Sequence, residues 1–129
     1  MILKYWGPVV LYALAIVYLS SQSNPAQQLH LPSFMFNIND KFLHACEYGV
    51  LGILLYRAFK YTTPNAGNMG LAIICVIAFG ISDEIHQWFV PQRQADILDL
   101  VADTFGAAFL IFGWVLITEK GRRRLTIRK

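Results

Sequence analysis

At 129 residues the chain is long enough for one compact domain and too short for two. Its hydrophobic share of 56 % and mean hydropathy of +0.45 argue against a water-soluble fold, because soluble domains sit at roughly 45–50 % apolar. The formal charge of +3 is local: residues 1–119 hold five Lys/Arg against eight Asp/Glu, a balance of −3, and "KGRRRLTIRK" (120–129) adds six cations and no acid.

The first apolar run, residues 2–19, contains Lys4 and the pair Gly7-Pro8. No small-x-small cleavage site follows it before the loop, so it reads as a retained helix and not as a signal peptide. A proline is tolerable there, since neighbouring membrane helices can re-satisfy the backbone. "SSQS" (20–23) closes the run, and "SQSNPAQQLHLPS" makes a loop-like linker with two prolines. The second run, 42–59, follows Asp40 and Lys41; "TTPNAGN" separates it from the third, 69–89, and "VPQRQ" leads into the fourth, 97–117. Each run is about 18–21 residues, near the length that crosses roughly 30 Å of hydrocarbon as a helix. A soluble four-helix bundle would need a polar stripe along the whole of each helix, whereas "VLGILLY", "LAIICVIAFG" and "TFGAAFLIFGWVLI" are apolar all round. The expected fold is all-α: a four-helix transmembrane bundle over residues 1–119, followed by a basic tail at 120–129. Cys46 and Cys75 lie in apolar runs with no metal or redox spacing and read as two small buried hydrophobes.

Orientation follows from the cations. The tail carries six, Arg57 and Lys60 flank the second linker, and Lys4 sits near the start, so both termini and that linker are expected on the cytoplasmic side. A basic segment directly after an apolar helix suits anionic lipid at that surface better than nucleic acid, and no nucleic-acid partner is expected. Seven of the eight acids then share the extracytoplasmic half, with Glu119 the exception. Helical spacing puts Asp40, His44, Glu47 and Tyr48 on one side of the second helix, and Asp83, His86 and Gln87 on one side of the third with Glu84 at its flank. On the fourth, Asp96, Asp99, Asp103, Gly106 and Ala107 form a stripe whose small residues allow close helix approach. Glu47 and Asp103 lie about seven residues inside their helices, roughly 10 Å deep. A carboxylate at a membrane helix centre costs about 2.5–3.5 kcal/mol, so these stripes are expected to face one another around a wet, outward-facing pocket.

The strings "DKFLHACEYGVLGILLY" and "SDEIHQWFVPQRQADILDLVADTFGA" resemble the VanZ-like family of small bacterial membrane proteins. That family pairs Asp-Lys-x-x-His-x-x-x-Tyr with a later Asp-Glu-x-x-Gln, then an Arg, an Asp-x-x-Asp pair and a Gly; "YLSSQS" resembles the polar close of its first helix. By position the resemblance marks Asp40, Lys41, His44, Tyr48, Asp83, Glu84, Gln87, Arg93, Asp96, Asp99 and Gly106. Asp103 departs from it, because the family commonly shows Asn there. The resemblance implies a multi-pass protein of the bacterial plasma membrane and a link to resistance against teicoplanin, a lipoglycopeptide. It brings no settled reaction.

Catalytic candidates are His44 and His86, whose imidazoles titrate near neutrality, with Glu47, Asp83 and Glu84. The alternative for the histidines is interhelical glue, and for Asp83 and Glu84 it is pairing with Lys41 or Arg93. Substrate-binding candidates are Asp40, Lys41, Tyr48, Gln87, Arg93, Asp96, Asp99 and Asp103, with Arg93 placed to clamp a phosphate or carboxylate. Against that stands a loop-ordering bridge from Arg93 to Asp96 or Asp99. No compact metal-ligand motif appears, and no metal or cofactor is expected. The expected partners are membrane lipid, a lipid-linked or glycopeptide ligand, and a second copy of the chain. Binding or modifying a cell-envelope lipid or lipoglycopeptide is the leading expectation, with a proton-coupled carrier component or a purely structural subunit as alternatives. The sequence leaves open whether any reaction is catalysed.

Overall fold

A helix satisfies its own backbone hydrogen bonds, which a chain must do wherever water is absent. Each apolar run does so. The computed structural model describes residues 2–22, 40–63, 68–91 and 95–127, with the backbone alone for residues 40 and 119–127. It contains α1 (Ile2–Ser20), α2 (Asp40–Thr62), α3 (Asn68–Trp88) and α4 (Ile97–Ile127), and no strand among the described residues.

The helices alternate in direction. At one end Trp6 Nε1 of α1 donates to Thr62 Oγ1 of α2 over 3.2 Å, and Tyr5 stacks on Tyr61 with centroids 4.6 Å apart. At the other end the close of α1, the start of α2, the close of α3 and the start of α4 meet, as the polar contacts below show. α2 is the central helix, packed most extensively on α4 and also on α1 and α3. Three helical stretches, Ile2–Ser20, Asn68–Trp88 and Ile97–Thr118, are long and apolar enough to cross a membrane. α2 is less apolar, with Glu47 and Arg57 inside it and Asp40, Lys41 and Lys60 toward its ends. Its central place explains that: it meets protein where its neighbours are left to meet lipid. α4 also runs ten residues beyond its expected end at 117, so the backbone of 120–127 continues the helix.

Burial is reversed from that of a water-soluble bundle. Asp103 is 1 % exposed, whereas Phe105 and Phe109 on the same helix are 72 % and 77 % exposed. An outer surface of Leu, Ile and Phe, with the charged groups taken inside an otherwise apolar core, is what a hydrocarbon solvent selects. Cys46 is exposed and Cys75 half-buried, contrary to the expected core positions, because an apolar run in such a chain marks the outward face as readily as the core.

In lipid, burying Leu51 or Ile111 gains little by transfer, so helix association rests on close packing. The α2–α4 seam supplies it. A Cβ on Gly106 would lie 2.6 Å from Ala45 Cα and nearer still to the Ala45 carbonyl oxygen; one on Gly52 would lie 3.0 Å from Ala107 Cβ. Backbone therefore meets backbone. One residue before Ala45 is His44, and one turn before Gly106 is Asp103, so the seam also sets the distance between those two side chains.

Candidate functional site

Asp96 precedes α4 and caps it: Oδ1 accepts from Leu98 N–H over 2.9 Å, and the Asp96 carbonyl accepts from Asp99 N–H, also at 2.9 Å. Its own N–H donates to Glu84 Oε2 of α3 over 2.7 Å, and its Oδ2 accepts from Lys41 Nζ of α2 over 2.7 Å. One residue thus ties three helices together. Lys41 reaches on to Asp99 Oδ1 at 2.8 Å. Asp99 is buried, while Lys41 and Asp96 are part-exposed. The Asp96 arm on its own is a solvent-screened surface pair.

The Lys41 hydrogen bond, followed by that from Leu98 N–H, holds the Asp96 carboxyl below its ordinary 3.8. A depressed folded-state value favours folding above the unfolded pKa, and the benefit disappears as pH falls through the folded one. Asp96→Asn keeps a capping oxygen and removes the charge. Its thermal midpoint is expected to lie below that of the parent at pH 6–7 and to converge with it below about pH 4, read as paired melting curves in detergent.

Deeper in, His44 Nδ1 lies 3.1 Å from Asp103 Oδ1, and Nε2 lies 3.9 Å from Asp99 Oδ2. A carboxylate at Nδ1 holds the ring proton there and places the basic lone pair on Nε2. Asp83 Oδ2 accepts from Gln87 Nε2 over 3.0 Å, one turn along α3. Asp83 Oδ1 and the hydroxyl of Tyr48 are both buried, and the hydroxyl lies within reach of the Asp83 carboxylate. The two residues act on each other electrostatically. Gly80 makes this approach fit, since a Cβ there would sit 2.8 Å from Leu100 Cδ1 and 3.4 Å from Asp103 Oδ2.

His86 and Glu84 diverge. At about 100° per residue, each falls roughly 80° off the buried line through Ala72, Val76, Gly80, Asp83 and Gln87, on opposite sides. His86 is exposed and turns to α1, where its Nε2 is 3.0 Å from Ser21 Oγ. That hydroxyl gives its proton to the Val17 carbonyl over 2.6 Å, so it accepts from His86 Nε2–H. Glu84 turns to α4. The expected shared face for His86 therefore does not hold, and Lys41 pairs with Asp96 and Asp99 instead of Asp83 or Glu84. Glu47 is half-buried on the α1 side, where the Tyr12 hydroxyl donates to its backbone carbonyl over 3.3 Å. Arg93 and the side chain of Asp40 lie outside the described residues. The sequence alone does not give Gly80 and Ser21 these roles. Gly80 carries a signal, a small residue one turn before the Asp83-Glu84 pair; Ser21 carries none beyond its place in "SSQS". Among the described residues no group of three or more His, Cys, Asp or Glu converges in a way that could hold a metal ion.

Residues 8–118 match the family described as VanZ/LLP1. The chain belongs to the VanZ/LLP1 family. A Schizosaccharomyces pombe protein described as uncharacterized protein C11E3.10 is 22 % identical over 98 residues, covering 76 % of this chain. The chain spans 60 % of that relative's length. No solved structure matches it. In this VanZ/LLP1 chain the motif residues that seemed separate in sequence are joined: the Asp-Lys-x-x-His segment supplies Lys41 and His44, and the Asp-x-x-Asp pair supplies both acceptors for Lys41.

Proposed function

We propose that this VanZ/LLP1 protein is a multi-pass protein of a bacterial plasma membrane, with both termini cytoplasmic, which binds or modifies a cell-envelope lipid or lipoglycopeptide at its extracytoplasmic end. The observation that carries this reading is the gathering of Lys41, His44, Asp83, Glu84, Asp96, Asp99 and Asp103, from three helices, at one end of an otherwise apolar bundle. Ionisable groups inside a membrane helix mark function by default. In this reading Asp103 orients His44, which moves the proton in any transfer reaction, and Arg93 holds an anionic group of the ligand. The outer location makes a role in teicoplanin resistance the concrete form of the proposal.

A proton-coupled carrier is less well supported. Below Asp103 and Tyr48 the buried side chains of the described residues are apolar, Leu51, Val76, Ala107 and Ile111 among them, until Tyr56 two turns further on, so no continuous relay runs from the cluster. The structural reading has one observation in its favour, that Lys41, His44 and Gln87 all bond within the bundle.

His44→Ala, Asp83→Ala and Arg93→Ala are expected to return an expressing host to the teicoplanin susceptibility of cells lacking the protein, at matched protein levels. Parental susceptibility from all three variants would refute the proposal.

A further inference from the structure

A groove lies beside the polar cluster and shares Glu84 with it. Between α3 and α4, Ile81, Ile85, Ala95, Ile97 and Leu100 line a space of about 240 Å³, and Glu84 is the polar side chain among them. The volume falls below the roughly 300–1,000 Å³ that encloses a drug-sized ligand, so it accepts part of a chain and not a whole molecule. Ile81, Ile85 and Ile97 are exposed, and the groove therefore opens onto the apolar surface that acyl chains would cover.

Charge selects the occupant. Glu84 Oε2 accepts the Asp96 N–H, and among the described residues no Lys, Arg or His lies within ion-pairing distance of the Glu84 carboxylate. Lys41 is held between Asp96 and Asp99. Asp83 and Asp99 add to the negative field at Glu84, and His44 opposes it. A carboxylate in such surroundings attracts a cation and disfavours an anionic headgroup.

We propose that this groove binds a phospholipid whose headgroup carries a primary amine, with the ammonium on Glu84 and one acyl chain along Ile81, Ile85 and Leu100. This rests on the reading of the protein as one that handles membrane amphiphiles, and it adds the headgroup class and the residue that chooses it.

The test uses the full chain in detergent, equilibrated with mixed micelles of phosphatidylethanolamine and phosphatidylglycerol matched in acyl chains, with retained lipid counted by native mass spectrometry. The parent should retain phosphatidylethanolamine over phosphatidylglycerol by about tenfold, the ratio that one hydrogen bond between charged groups supports. Glu84→Gln, which keeps the acceptor for Asp96 N–H, should bring the ratio close to one. N-acetylated phosphatidylethanolamine, tested on the parent protein, should be retained no better than phosphatidylglycerol, an arm that does not depend on a variant folding. Equal retention of the amine and glycerol lipids by the parent overturns the inference, and so does a preference that survives either Glu84→Gln or acetylation. Should those results appear while His44→Ala still abolishes resistance, the inference falls and the proposed function stands.

Discussion

Gly106→Ala is expected to destabilise the bundle more than any other single methyl added at its glycines. The new Cβ would meet Ala45 Cα and carbonyl carbon at 2.6 Å, and a backbone segment inside a helix cannot rotate aside as a side-chain tip can. α2 and α4 would have to separate. Overpacking in a well-filled core typically costs about 1–3 kcal/mol, and a clash with backbone belongs at or above the top of that range. Gly113 on the same helix is the control, since a Cβ there meets nothing within 4 Å. Gly113→Ala should be neutral or stabilising by up to about 1 kcal/mol, the helix-propensity difference between the two residues. Melting followed by circular dichroism in detergent checks both. A Gly106→Ala protein that melts with the parent would mean that the seam is looser than its geometry shows. Because the seam fixes how near His44 comes to Asp103, the same variant should also lose function at temperatures where it remains helical.

Much of this architecture was legible in the sequence. The apolar runs gave the helices and their alternating order, and the crowding of acids near 40–47, 83–84 and 96–103 marked the end at which the polar groups meet. Gly106 was legible as a small residue in the polar stripe of the last helix. The remainder was hidden for definable reasons. Periodicity along one helix gives a face but not the neighbour it meets, so the partings of His86 toward α1 and Glu84 toward α4 could not be read from α3 alone. An apolar run looks the same facing lipid as facing protein, which is why Cys46 was misplaced. The length of α4 was underestimated because hydropathy drops after residue 118, whereas Lys and Arg are good helix formers and the backbone continues through them. Lys41 chose Asp96 and Asp99 over Asp83 and Glu84 because the start of α2 packs beside the start of α4, a fact of assembly and not of spacing.

The His44–Asp103 contact decides between chemistry and glue. Removing the hydrogen-bond partner of a buried charged group typically costs about 1–3 kcal/mol or more, since the charge stays behind without compensation. Asp103 is 1 % exposed and accepts from His44 Nδ1, so His44→Ala should fall in that range. Asp103→Asn should cost less, because the amide oxygen can still accept the Nδ1 proton. In the double variant no carboxylate remains to be stranded at position 103, and the stability lost with His44 should be partly recovered, giving an interaction energy of about 0.5–3 kcal/mol across the cycle. Stability and resistance then separate. If His44 moves a proton, the double variant regains its melting temperature and stays inactive. If His44 is only interhelical glue, resistance returns together with stability. The proposed function requires the first result, and Asp103→Asn alone should keep activity in proportion to how well it still holds the imidazole by Nδ1.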